Sequence, residues 1–89
     1  MDVHHDECEA AGVDPEKLKR LAARLSKCGK ELKEMGLEVF GGSGAGSIRT
    51  MSENEGKGQL ILADIDGNFD GGDGAARHDE DGLLRGEYF

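Results

Sequence analysis

Oxygen-bearing side chains recur at alternate positions in Asp64-Ile65-Asp66-Gly67-Asn68-Phe69-Asp70, and Gly71, Gly72 and Gly74 follow around Asp73. Carboxylate and amide oxygens at that spacing, with glycines that permit tight curvature, suit a hard cation such as calcium or magnesium. Asp64, Asp66, Asn68 and Asp70 are therefore the candidate metal ligands, loosely held Ca or Mg is the cation they would take, and no other cofactor is expected. The carboxylates of Asp64, Asp66, Asp70 and Asp73 also form a candidate interaction surface for a partner of opposite charge. The plainer reading of the same stretch is a polar, glycine-rich strand end.

Two family motifs are similar to parts of this turn. Asp64, Asp66 and Asn68, with Asp70 as a fourth, resemble the first ligand positions of an EF-hand loop. However, Phe69 stands where that loop bends on glycine, and Ala75 where it places a bidentate Glu. Leu60-Ile61-Leu62-Ala63-Asp64-Ile65-Asp66-Gly67 resembles the first motif of the haloacid dehalogenase-like phosphatases. That resemblance would make Asp64 a nucleophile and Asp66 an acid/base, with magnesium on the phosphate. It covers eight residues, and the 22 that follow Gly67 do not complete such a fold.

Gly41-Gly42-Ser43-Gly44-Ala45-Gly46-Ser47 has phosphate-loop spacing between Gly41 and Gly46. A phosphate loop needs lysine where Ser47 stands and a helix behind it, and the residues that follow are β-prone. The segment is expected to be a hairpin connection. His4, His5 and Cys8, with distant His78, are a candidate transition-metal set without a recognised spacing. Cys28 falls in an apolar stripe and is expected to be a small core group, whereas Cys8 is expected to be exposed. Two cysteines make no disulfide framework, so reduced thiols in a cytoplasmic protein are the expectation. No nucleophile, base and orienting group can be assembled from these residues, so no catalytic residue is assigned and an enzyme is not expected.

The elements that must position these groups begin with a helix. Asp14 is a side-chain cap and Pro15 fits the first helical position, where its missing N–H costs nothing. Leu18, Leu21, Leu25, Cys28, Leu32 and Met35 then recur at intervals of three and four, and Gly36 stands where a left-handed cap belongs. One helix over about 15–35 follows, roughly 31 Å long. Strands are expected over about 37–41, 47–51 and 59–65, the last with apolar residues on both faces, as a central or covered strand requires. The fold class is thus α+β, one long N-terminal helix packed on a small antiparallel three-stranded sheet. Residues 1–12 read as a flexible acidic arm, 13–70 as a single small domain, and 71–89 as a Gly/charge-rich tail that docks, if at all, through Leu83, Leu84, Tyr88 and Phe89.

Of 89 residues, 36% are hydrophobic and 4% aromatic, Trp is absent and glycines number 15, so the core must be thin. The formal net charge is -8, with 19 Asp and Glu against 11 Lys and Arg. The acids gather at both ends of the chain and most of the bases in the helix. A basic footprint for nucleic acid is therefore confined to the helix residues Lys17, Arg20, Arg24, Lys27 and Lys30, and nucleic-acid binding is disfavoured. No apolar run is long enough to span a membrane, and the first residues do not resemble a secretion signal. The expected function is that of a small, acidic, glycine-rich, non-enzymatic protein acting through protein–protein interaction, as an inhibitor or charge-mimic adaptor. Its partner is expected to carry a basic surface, and a homodimer through Leu18, Leu21, Leu25 and Leu32 is a further expectation. The alternatives are a divalent-cation binding module and a dimeric nucleic-acid-binding protein using the basic helix face.

Overall fold

The computed structural model describes residues 3–42, 44–51, 58–71 and 74–86. Along them run α1 (His5–Ala11), α2 (Pro15–Glu34), β1 (Leu37–Gly42), β2 (Ala45–Thr50), β3 (Ile61–Ile65), β4 (Ala76–His78) and β5 (Leu84–Gly86). The α+β class holds, with two N-terminal helices and a three-stranded antiparallel sheet in the order β1-β2-β3. The chain divides into two compact units, Met1–Ser26 with Gly72–Phe89 and Lys27–Gly71.

In the first unit, α2 starts as the sequence requires. The Glu16 N–H donates to Asp14 Oδ1 at 3.0 Å, and the Leu18 N–H donates to the Asp14 carbonyl at 3.1 Å. Ahead of it, the expected arm contains a helix. Asp6 and Glu7 lie in the first turn of α1, where carboxylates complement the helix dipole, and Gly12 closes it at φ 70. A helix of seven residues is too short to show an apolar period, so its only signals are these end effects.

The expected tail likewise contains a hairpin, β4 paired with β5 in the register Ala76↔Gly86, Arg77↔Arg85 and His78↔Leu84. Asp79 closes it. Its Oδ1 accepts the N–H groups of Asp81 at 2.9 Å and Leu83 at 3.0 Å, and its Oδ2 accepts Arg85 Nε at 2.8 Å. The Leu84 N–H donates to Glu7 Oε2 at 2.7 Å, which ties β5 to α1. Leu83 and Leu84 are half-buried, and Tyr88 and Phe89 lie outside the described residues.

In the second unit, α2 ends where the left-handed cap was expected. Gly36 has φ 75, and its N–H donates to the Lys33 carbonyl at 3.0 Å. β1 and β2 pair from Leu37↔Thr50 to Gly42↔Ala45, and Gly44, between the two strands, has φ 81. β2 pairs with β3 from Gly46↔Ile65 to Ile48↔Ala63, and then Arg49 pairs with Ile61. Leu62 is therefore the extra residue of a bulge. β3 lies at the sheet's edge rather than at its centre, which corrects the reading of its two apolar faces.

The hydrogen bonds to the Arg85 guanidinium, first, and to the Leu83 N–H hold the Asp79 carboxyl below the usual Asp range. A carboxyl lowered by folding adds stability that is complete above its unfolded pKa of about 3.9 and is lost as pH falls through the folded value. Amide shifts of Asp81 and Leu83 followed from pH 7 downward should show their transition below about pH 3.9. In Asp79→Asn the loop should stay closed through the side-chain carbonyl, and the acid transition should disappear.

Candidate functional site

The two segments singled out for their chemistry meet in the second unit. The Gly44 N–H donates to the Phe69 carbonyl at 3.4 Å, joining the glycine hairpin to the acidic turn. A Cβ on Gly41 would lie 2.8 Å from Phe69 Cβ, and one on Gly46 would lie 2.7 Å from Ile65 Cγ1 and 3.0 Å from Phe69 Cδ2. A Cβ on Gly71 would strike the Gly41 carbonyl oxygen. The glycines therefore leave the room that Phe69 fills, and Phe69 stands at its position in the turn as a packing group.

Asp64, Asp66, Asn68 and Asp70 are exposed, and Asp73 lies outside the described residues. Among the described residues, no three His, Cys, Asp or Glu side chains gather as a metal site would require. The same holds for His4, His5, Cys8 and His78. The glycine segment continues into β2 rather than a helix, so no helix N-terminus stands behind it to receive a phosphate.

The cysteines exchange their expected environments. Cys8 is 5% exposed and is the one buried apolar side chain among the described residues. It lines an apolar cleft of about 330 Å³ between α1 and α2, together with Val3, Val13, Leu18 and Ala22. Cys28 is exposed, and both thiols are free. The interval pattern placed Cys28 on the apolar stripe, but at that point the stripe is not covered. Leu25 is 69% and Met35 70% exposed, and Leu18 and Leu21 are also exposed. Among the described residues, a Cβ on Gly29 would meet nothing within 4 Å. The basic residues Lys17, Arg20, Arg24, Lys27 and Lys30 are all exposed. Among the described residues, no helix is long and apolar enough to cross a membrane.

A site that sequence reasoning missed lies on one face of the sheet. The register places Phe40 opposite Ser47 and Ser47 opposite Asp64, so the three share a face, and Arg49 joins them two residues along β2. Arg49 Nε donates to Ser47 Oγ at 2.9 Å, and the guanidinium lies 4.1 Å from the centre of the Phe40 ring. Ser47 is 8% exposed. These four side chains line a cleft of about 190 Å³, with Gly42 and Gly46 in its wall. The available signal was the alternation Ser47, Arg49 opposite Glu38, Phe40, which is legible only once the hairpin register is known.

No family model, curated protein or solved structure matches the chain.

Gly46→Ala should lower the melting temperature, because overpacking against Ile65 and Phe69 costs about 1–3 kcal/mol. Gly29→Ala should raise it, because alanine is favoured by about 1 kcal/mol in an open helix position. Thermal unfolding followed by circular dichroism checks both. A thiol reagent should modify Cys28 at once in the folded chain and Cys8 only at the rate of unfolding, as mass spectrometry of the digested protein reads.

Proposed function

We propose that this chain is a small acidic, non-enzymatic protein that works by binding another protein, with β3 and the carboxylates beyond it as the binding edge. The observation that carries the reading is the exposure of Leu60, Ile61 and Leu62, each more than half exposed, at the start of the outer strand of the sheet and just before it. An edge strand offers unpaired N–H and C=O groups, and natural edges are normally shielded by lysine, proline or covering structure. Residues 60–65 contain neither lysine nor proline. An extended segment of a partner would add a strand there and cover the apolar side chains. Asp64, exposed within β3, and Asp66 and Asp70, exposed just beyond it, would meet basic residues on that partner and steer its approach. An inhibitor or charge-mimic adaptor would act in this way. Two free thiols agree with a reducing, cytoplasmic setting.

A second reading has its own observation. Leu18, Leu21 and Leu25 are exposed along α2 and Met35 just after it, and with Leu32 they keep the three-and-four spacing of a helix-pairing seam. On this reading the partner is a second copy, and the chain is a homodimer through Leu18, Leu21, Leu25 and Leu32.

Sedimentation of the full chain, alone and with protein captured at low salt, separates the readings. Under the first, the chain is monomeric alone, Leu62→Lys abolishes capture, and about 0.5 M salt weakens it by screening. Under the second, the mass is that of two chains and Leu25→Glu halves it. A chain that is monomeric and captures nothing overturns both.

A further inference from the structure

The cleft on the sheet face supports a second inference, which shares Asp64 with the β3 edge but rests on Arg49, Ser47 and Phe40. Three features prepare Arg49 to receive an anion. The Phe40 ring supports one face of its guanidinium, Ser47 Oγ fixes its Nε, and the terminal nitrogens have no hydrogen-bond partner among the described residues. A guanidinium held by stacking and one hydrogen bond presents its remaining N–H groups as a planar fork that fits a carboxylate. Ser47 accepts from Arg49 through its oxygen, which leaves its O–H to donate to the same anion.

Asp64 completes the chemistry. It lines the same cleft and stands directly across from Ser47, one diagonal from Arg49. Diagonal neighbours in an antiparallel pair lie about 7–8 Å apart at Cα. Arg49 and Asp64 form no ion pair among the described residues, so opposite charges stand at two ends of a small gap. A group that bridges them must carry a negative charge at one end and a positive charge at the other, only a few ångströms apart. Gly42 and Ala45 put little or no side chain into the wall between them, and the space of about 190 Å³ admits a small molecule.

We propose that this cleft binds a small zwitterion, in the simplest case a free α-amino acid, with its carboxylate on Arg49 and Ser47 and its ammonium on Asp64. The short distance between the charges of an α-amino acid suits the gap, and the Phe40 ring offers an apolar surface to its side chain. No covalent step is involved.

Titration of the isotopically labelled full chain, followed by amide and Arg49 side-chain resonances, tests the site with glycine and alanine as probes. Acetate and methylammonium serve as half-ligands. Saturable shifts at Gly46, Ser47, Arg49 and Asp64 are expected with the amino acids at about 1–10 mM, the range of a two-contact small ligand. Each half-ligand should bind at least about tenfold more weakly. Arg49→Gln and Asp64→Asn should each weaken glycine binding by a similar factor, with the remaining amide spectrum showing the fold intact. Absence of saturable shifts in the wild-type chain overturns the proposal whatever the variants do. Equal binding of acetate and glycine, or binding untouched by Asp64→Asn, overturns it as well. None of these outcomes bears on capture by the β3 edge, which Leu62→Lys reads separately.

Discussion

The ring of Phe69 sits where the glycine hairpin and the acidic turn come together, and much of the sheet's organisation depends on the space left for it. Gly41 and Gly46 lie on one face of β1 and β2, where any Cβ would collide with Phe69 or Ile65. Gly71 lies so close to the Gly41 carbonyl that only hydrogen fits. With 4% aromatic residues, the chain has few large side chains, so it forms contact by bringing backbone close to a single ring. The same contact fixes where the acidic turn lies, because the Gly44 N–H holds the Phe69 carbonyl.

On the opposite face of the sheet, the same register arranges the polar groups. Phe40, Ser47 and Asp64 form one cross-strand row, and Arg49 rests on Phe40 and Ser47. Glu38, the cross-strand partner of Arg49, is engaged by Gln59 Nε2 instead. This leaves the guanidinium edge open toward the cleft. One face of a small sheet thus carries the packing around Phe69 and the other the polar row, as the two-residue alternation of a strand dictates.

Among the described residues, little apolar surface is sealed in either unit. Cys8 is the one buried apolar side chain among the described residues, while Leu25, Met35 and residues 60–62 stay exposed. Domains of this size bury a small fraction of their surface and often depend on a partner. Here the exposed apolar groups of residues 60–62 lie next to carboxylates on a chain of net charge -8. The hydrogen-bonded closures compensate locally: Asp79 ties its hairpin and Glu7 ties β5 to α1.

Residue pattern alone determined the elements whose signals are local. Asp14 and Pro15 start α2, Gly36 ends it, and three segments of strand-forming residues make a meander, because caps, turns and hydrophobic period act over a few residues. The short α1 and the β4–β5 hairpin escaped that reading, since α1 is tied through Glu7 to Leu84 far along the chain and three-residue strands are too short to show an alternation. The interval pattern put Cys28 on the apolar stripe, but only the fold could show that nothing covers it there and that Cys8 is the thiol enclosed. The acidic turn was conspicuous as residue types, yet ligand convergence is a property of three-dimensional placement. The Arg49 cleft was silent for the same reason. Its residues come from three strands, and only pairing register brings Phe40, Ser47 and Asp64 to one face.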